Sequence, residues 1–154
     1  MLNPSPYRPL AAEILEKTSI LVVNRAEASE LAAQIGLDHP NSCADVSVFR
    51  TLAELLMEHG PETVIVTVGR DGAYAFEREE EPLHQPGFGV HAIDSLGAGD
   101  AFTAGFAVGL VEGRSLPECL KRGAGCGAVT TQKVGVFDAL PTRDELERFL
   151  AAWA

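Results

Sequence analysis

Two short runs constrain this chain more than any other feature: "SILVVN" at Ser19 to Asn24 and "TVIVTVG" at Thr63 to Gly69. Both are continuously apolar and rich in β-branched residues, without the polar alternation of a strand that faces water on one side. Such runs read as strands buried on both faces. Between them lie two helical patterns. "AEASELAAQIG" ends on Gly36, and "SVFRTLAELLMEHG" sets Val48, Leu52, Leu55 and Leu56 on one side and stops at Gly60. Strand, helix, helix, strand implies a parallel α/β sheet. "GAYAF" (Gly72 to Phe76) and "GVHAID" (Gly89 to Asp94) read as further, weaker strands.

After Asp94 the character changes. "GAGDAFTAGFAVGLVEG" and "SLPECLKRGAGCGAVTTQ" are helices dense in Gly and Ala, suited to close packing. The last helix, "TRDELERFLAAWA", opens with a capping box from Thr142 to Glu145 and carries a stripe through Leu146, Phe149 and Leu150. At 154 residues the chain is expected to form a single domain, residues 1–154.

Composition excludes several roles. A formal net charge of -10 repels nucleic acid and anionic membrane, and no apolar run is long enough to cross a bilayer. An anionic ligand must therefore be held by local groups. Cys43, Cys119 and Cys126 form no CxxC pair and read as thiols rather than a disulfide framework or zinc site. His39, His59, His84 and His91 have no ligand spacing and read as surface or loop residues. "MLNPSPYRPL" lacks the marks of a secretion signal, so the expected compartment is the cytoplasm.

The stretch that carries chemistry is "DSLGAGDAF", Asp94 to Phe102. A Gly-Ala-Gly segment entering a helix leaves several amide N–H groups without intrahelical partners, backed by the positive end of the helix dipole. That arrangement suits an anion, commonly phosphate. Asp100, in the first turn, also reads simply as an aspartate favoured there by about 0.3–1 kcal/mol.

With its flanks, the stretch resembles the second signature of the ribokinase-like sugar kinases, the PfkB carbohydrate kinase family: Asp-Thr-x-Gly-Ala-Gly-Asp-x-Phe, with Ser95 the one departure. The resemblance implies that Asp100 takes the proton of an acceptor hydroxyl while the amides of Gly97, Ala98 and Gly99 hold the transferring phosphoryl group. "NRAE" matches the family's Asn-x-x-Glu, placing Asn24 and Glu27 on the side of magnesium and the nucleotide phosphates; it reads equally as a capping box. "TVGRDG" resembles the nucleotide-lining Thr-x-Gly-x-x-Gly through Thr67, Gly69 and Gly72, and reads equally as a tight turn. Asp94 corresponds to the aspartate that helps hold a monovalent cation, K+, in many relatives, with a loop matched here only in outline by Gly135 and Pro141.

The family implies a three-layer α/β/α fold with a mainly parallel sheet, ATP as donor, Mg2+, and a sugar or nucleoside hydroxyl as acceptor. The matched pattern is its C-terminal half; "LNPSP" resembles an element found midway through relatives, and the N-terminal sugar-binding half and β lid are lacking. Halving a sheet exposes an edge and apolar helix faces, so self-association or a partner chain is expected. The alternatives to a kinase are a noncatalytic nucleotide-binding module and a fragment that does not fold well.

Overall fold

In the computed structural model, which describes residues 1–36 and 46–153, the two apolar runs form β1 (Ile20–Asn24) and β2 (Thr63–Thr67). They pair in parallel, with Ile20 opposite Thr63 and Asn24 opposite Thr67. Leu21, Val22 and Val23, like Val64, Ile65 and Val66, are all essentially inaccessible to solvent. Burial on both faces explains the missing polar alternation. Two further strands, β3 (Ala73–Glu77) and β4 (Leu83–Gln85), complete a mixed four-stranded sheet in the order β1-β2-β3-β4. The Thr63 hydroxyl reaches the Glu77 carboxylate at 3.3 Å, which sets the start of β2 beside the end of β3.

The chain packs as two compact units, Met1–Val68 with Tyr74–His84, and Gly69–Ala73 with Gln85–Ala154. In the first, α1 (Ala12–Glu16), α2 (Arg25–Gln34) and α3 (Val46–Met57) accompany the strands. Leu31 of α2 and Phe49, Leu52 and Leu56 of α3 join Leu21, Val23, Val64 and Val66 in one buried cluster. The buried stripe of α3 thus runs through Phe49, Leu52, Ala53, Leu56 and Met57, while Val48 and Leu55 sit at its margin. A stripe of this width admits either register, and the bulk of Phe49 decides which side turns inward.

The edge of β1 facing away from β2 is covered. Leu2 forms a parallel bridge to Leu21, donating to the Ile20 carbonyl at 2.8 Å and accepting from the Val22 amide at 2.9 Å. Asn3 Nδ2 caps the Val22 carbonyl at 2.8 Å, and Glu27 takes the Asn24 amide at 2.9 Å. These four backbone groups, which an added strand would use, are therefore already satisfied.

In the second unit, α4 (Ala98–Val111), α5 (Leu116–Thr130) and α6 (Arg143–Ala151) follow the long segment after β4. The glycines of α4 let α5 approach closely: a Cβ on Gly105 would lie 2.5 Å from Cys126 Sγ, and one on Gly109 would lie 2.9 Å from Cys119 Sγ. Arg122 of α5 is 4% exposed and ion-pairs with Glu147 of α6 at 2.5 Å and, more loosely, with Glu112 at 3.9 Å. Residues 89–94, read above as a strand, are not one. Their backbone is spent elsewhere: Val90 donates to the Phe88 carbonyl at 2.8 Å, and Ile93 and Asp94 both donate to the Thr131 carbonyl.

Among the described residues no helix is long and apolar enough to cross a membrane. His59, His84 and His91 are exposed, and Cys119 and Cys126 are buried free thiols; His39 and Cys43 lie outside the described residues.

Candidate active site

In the second unit the site begins at Gly97, the N-cap of α4, with φ +77° and ψ -2°. This left-handed conformation is costly for any residue with a Cβ, and one here would also meet Val136 Cγ1 at 2.9 Å. The turn makes few bonds of its own: the Ala98 amide reaches the Ser95 carbonyl at 3.2 Å, and the Ala101 amide returns to the Gly97 carbonyl at 2.9 Å. Between them, the amides of Gly99 and Asp100 have no acceptor among the described residues. Both are exposed, and a Cβ on Gly99 would find nothing within 4 Å. The result is an open pocket of unpaired N–H groups at the positive end of a helix of 14 residues. Asp100 stands beside it, exposed and in the first turn.

Asp94 holds this turn to the loop after α5. Its Oδ1 accepts from the Leu96 amide at 3.0 Å and its Oδ2 from the Gly135 amide at 3.3 Å. Those amides, Leu96 foremost, hold the Asp94 carboxyl below the ordinary aspartate range. Thr131, at the end of α5, adds its carbonyl to the Ile93 amide at 2.7 Å and the Asp94 amide at 3.2 Å. Gly135 itself has φ +97°. Thr131 and Val136 were not singled out from the sequence, because a backbone carbonyl and an apolar contact leave no motif; the signal available was Gly135.

In the first unit, Asn24 and Glu27 form a complete capping box on α2. The Glu27 amide donates to Asn24 Oδ1 at 3.0 Å, and Glu27 Oε2 accepts the Asn24 amide at 2.9 Å. Glu27 is only 5% exposed, yet its second carboxylate oxygen and the Asn24 side-chain nitrogen make no hydrogen bond among the described residues. The box fixes the carboxylate at the junction of β1 and α2 and leaves that oxygen available. Thr67 ends β2, its hydroxyl 3.4 Å from the Val23 carbonyl.

Gly69 and Gly72 belong to the second unit and play different parts. Gly69, φ +63°, borders open space, whereas a Cβ on Gly72, φ +97°, would fall 2.0 Å from the Gln85 carbonyl oxygen. Gly72 is therefore required by the close approach of two backbone segments.

The sequence pattern of pfkB family carbohydrate kinases matches residues 1–143. The chain belongs to this family. It is 33% identical over 150 residues to a ribokinase of Haemophilus influenzae, covering 97% of this chain and 46% of that one. A 5-dehydro-2-deoxygluconokinase of Bacillus cereus is 27% identical over 144 residues, 94% of this chain and 40% of the relative. Among solved structures, the ribokinase of Thermotoga maritima superposes with a TM-score of 0.86 at 31% identity, covering 97% of this chain and 48% of the other. The ribokinase of Arabidopsis thaliana, complexed with ribose and ATP, gives 0.84 at 30% identity, covering 93% and 44%. The pfkB fold is thus established for a chain that spans about half the length of the relatives it matches.

Proposed function

We propose that the chain supplies the nucleotide-binding and phosphoryl-transfer half of an ATP-dependent kinase acting on a hydroxyl of a sugar or related small molecule. The observation that carries this reading is the juxtaposition, at the start of α4, of unpaired Gly99 and Asp100 amides with an exposed Asp100 carboxylate. Phosphoryl transfer passes through a loose transition state whose charge sits on equatorial oxygens, so it asks for positioning and charge stabilisation rather than a strong base. Asp100 accepts the proton of the acceptor hydroxyl as that oxygen attacks the γ-phosphorus; the bond to the bridging oxygen breaks and ADP leaves with its electron pair. The amides of Gly97, Gly99 and Asp100 donate to the γ-phosphoryl oxygens while this happens; the Ala98 amide, assigned the same part by the family resemblance, is already turned to the Ser95 carbonyl at 3.2 Å.

Magnesium would neutralise phosphate charge, and the uncommitted carboxylate oxygen of Glu27 suits a hard cation held through water. Asn24, Thr67 and Gly69 line the nucleotide side in this reading, and Gly72 holds the turn. For K+, Asp94 is the residue present; its two oxygens already take amides, each with a lone pair to spare. The protein acts in the cytoplasm. It associates with a second copy or a partner chain through exposed apolar groups such as Leu96 (63%), Val134 (75%) and Phe137 (84%), since the outer edge of β1 is covered.

Transfer of radiolabelled γ-phosphate from ATP to a panel of sugars and nucleosides tests the reading. Transfer that disappears in Asp100→Asn while ATP binding remains supports the kinase. ATP binding without transfer to any acceptor supports a noncatalytic nucleotide-binding module.

A further inference from the structure

We propose that Thr103 is a positioning residue for phosphoryl transfer, its hydroxyl fixing and polarising the peptide whose N–H is the Asp100 donor. The inference rests on the phosphoryl-transfer site proposed above. It adds a side chain that lies outside the Asp94 to Phe102 stretch.

A peptide unit joins one residue's carbonyl to the next residue's amide, so a bond made to its oxygen is felt at its nitrogen. In the α4 turn the Gly97–Ala98 peptide is closed at both ends: the Gly97 carbonyl takes the Ala101 amide at 2.9 Å, and the Ala98 amide turns to the Ser95 carbonyl at 3.2 Å. The Gly99–Asp100 peptide differs. Its oxygen accepts from Thr103 Oγ1 at 3.0 Å, one turn further along α4, whereas its N–H, that of Asp100, has no acceptor among the described residues. A bonded carbonyl strengthens the donor at the other end of its peptide, by about 10–30% per bond.

The same hydroxyl holds the plane of that peptide. A Cβ built on Gly99 would find nothing within 4 Å, so on that side the turn borders open space. The Thr103 hydroxyl braces it from within the helix, and a β-branched side chain has few rotamers through which to let go. Helix stability gives no reason for the bond, because hydroxyls that bond back to a carbonyl four residues earlier slightly weaken a helix. Thr51 makes the same kind of bond to the Ser47 carbonyl at 3.1 Å on α3, in the first unit, and serves as a control.

The test compares Thr103→Val, which keeps the shape and removes the hydroxyl, with Thr103→Ser, which keeps the hydroxyl, and with Thr51→Val. Each variant of the full chain is assayed for radiolabelled phosphate transfer from ATP, for thermal melting, and for the Asp100 amide proton resonance by NMR. A donor of this kind is worth about 10²–10³ in rate, and 10–30% of its free energy corresponds to about two- to eightfold. Thr103→Val is therefore expected to lower kcat by that factor with KM for ATP unchanged, to keep its melting temperature, and to move the Asp100 amide proton upfield. Thr103→Ser is expected to recover both readings, and Thr51→Val to alter neither. Unchanged kcat in Thr103→Val overturns the assignment. So does a loss matched by lower melting temperature with the Asp100 resonance unmoved, which would show a structural role alone. A folded parent that transfers phosphate to no acceptor overturns the kinase reading itself, and with it the part assigned to Thr103.

Discussion

Replacing Gly99 by alanine separates the architecture of the α4 turn from its use. A Cβ at Gly99 meets nothing within 4 Å, and the residue already lies in the helix. Alanine is favoured over glycine in a helix by up to about 1 kcal/mol, so the variant should melt about 2–4 °C higher, or at least no lower. The same methyl group, however, would stand one residue's width from the unpaired amides, and Cβ atoms lean toward a helix N-terminus, so it would crowd an anion held there. If those amides hold the transferring phosphoryl group, crowding them should cost at least about tenfold in phosphoryl transfer, since losing a single donor of this kind costs about 10²–10³. Gly97→Ala provides the contrast. There φ is +77° and the added Cβ would lie 2.9 Å from Val136 Cγ1, so stability should fall by about 1–3 kcal/mol. Thermal melting by circular dichroism, paired with radiolabel transfer, reads both effects. A Gly99→Ala protein that is as stable as its parent and equally active would refute the anion-hole reading. One that is markedly destabilised would refute the account of the open turn.

Other expectations concern stability. Arg122→Ala removes the buried guanidinium that faces Glu147 and Glu112, and should cost about 3 kcal/mol in urea unfolding. Burial pushes the Cys126 thiol up to about 11, so at pH 8 only about one molecule in a thousand is thiolate, and a thiol reagent should label Cys126 only after unfolding. The Asp94 carboxyl is held low in the folded state by the Leu96 and Gly135 amides. Its contribution is therefore present above the ordinary aspartate range and lost as pH falls through the depressed one; Asp94→Asn should weaken the fall in urea stability on acidification.

What the sequence made legible was whatever has a local cause. β1 and β2 follow from continuous β-branched runs, and the capping boxes at Asn24, Ser115 and Thr142, three among the described residues, from side chains three residues apart. Two of those boxes were readable in advance, and the Gly-Ala-Gly-Asp turn was readable because glycine spacing reports backbone conformation directly. Non-local causes stayed hidden. The strand expected at residues 89–94 failed because its amides turn to the Thr131 carbonyl, some forty residues away in sequence. The inward side of α3 depended on where Phe49 fits, which periodicity alone does not decide. Leu2 and Asn3 cover the edge of β1 by backbone and side-chain bonds that no motif announces.

The central claim is that this half-length pfkB chain forms a working nucleotide site, and calorimetric titration of Mg-ATP into the purified chain tests it most directly. The account predicts saturable binding that weakens when Asn24, Glu27 or Gly97 is changed. No binding by a protein shown to be folded would contradict it, leaving the Gly97 to Asp100 turn as architecture alone.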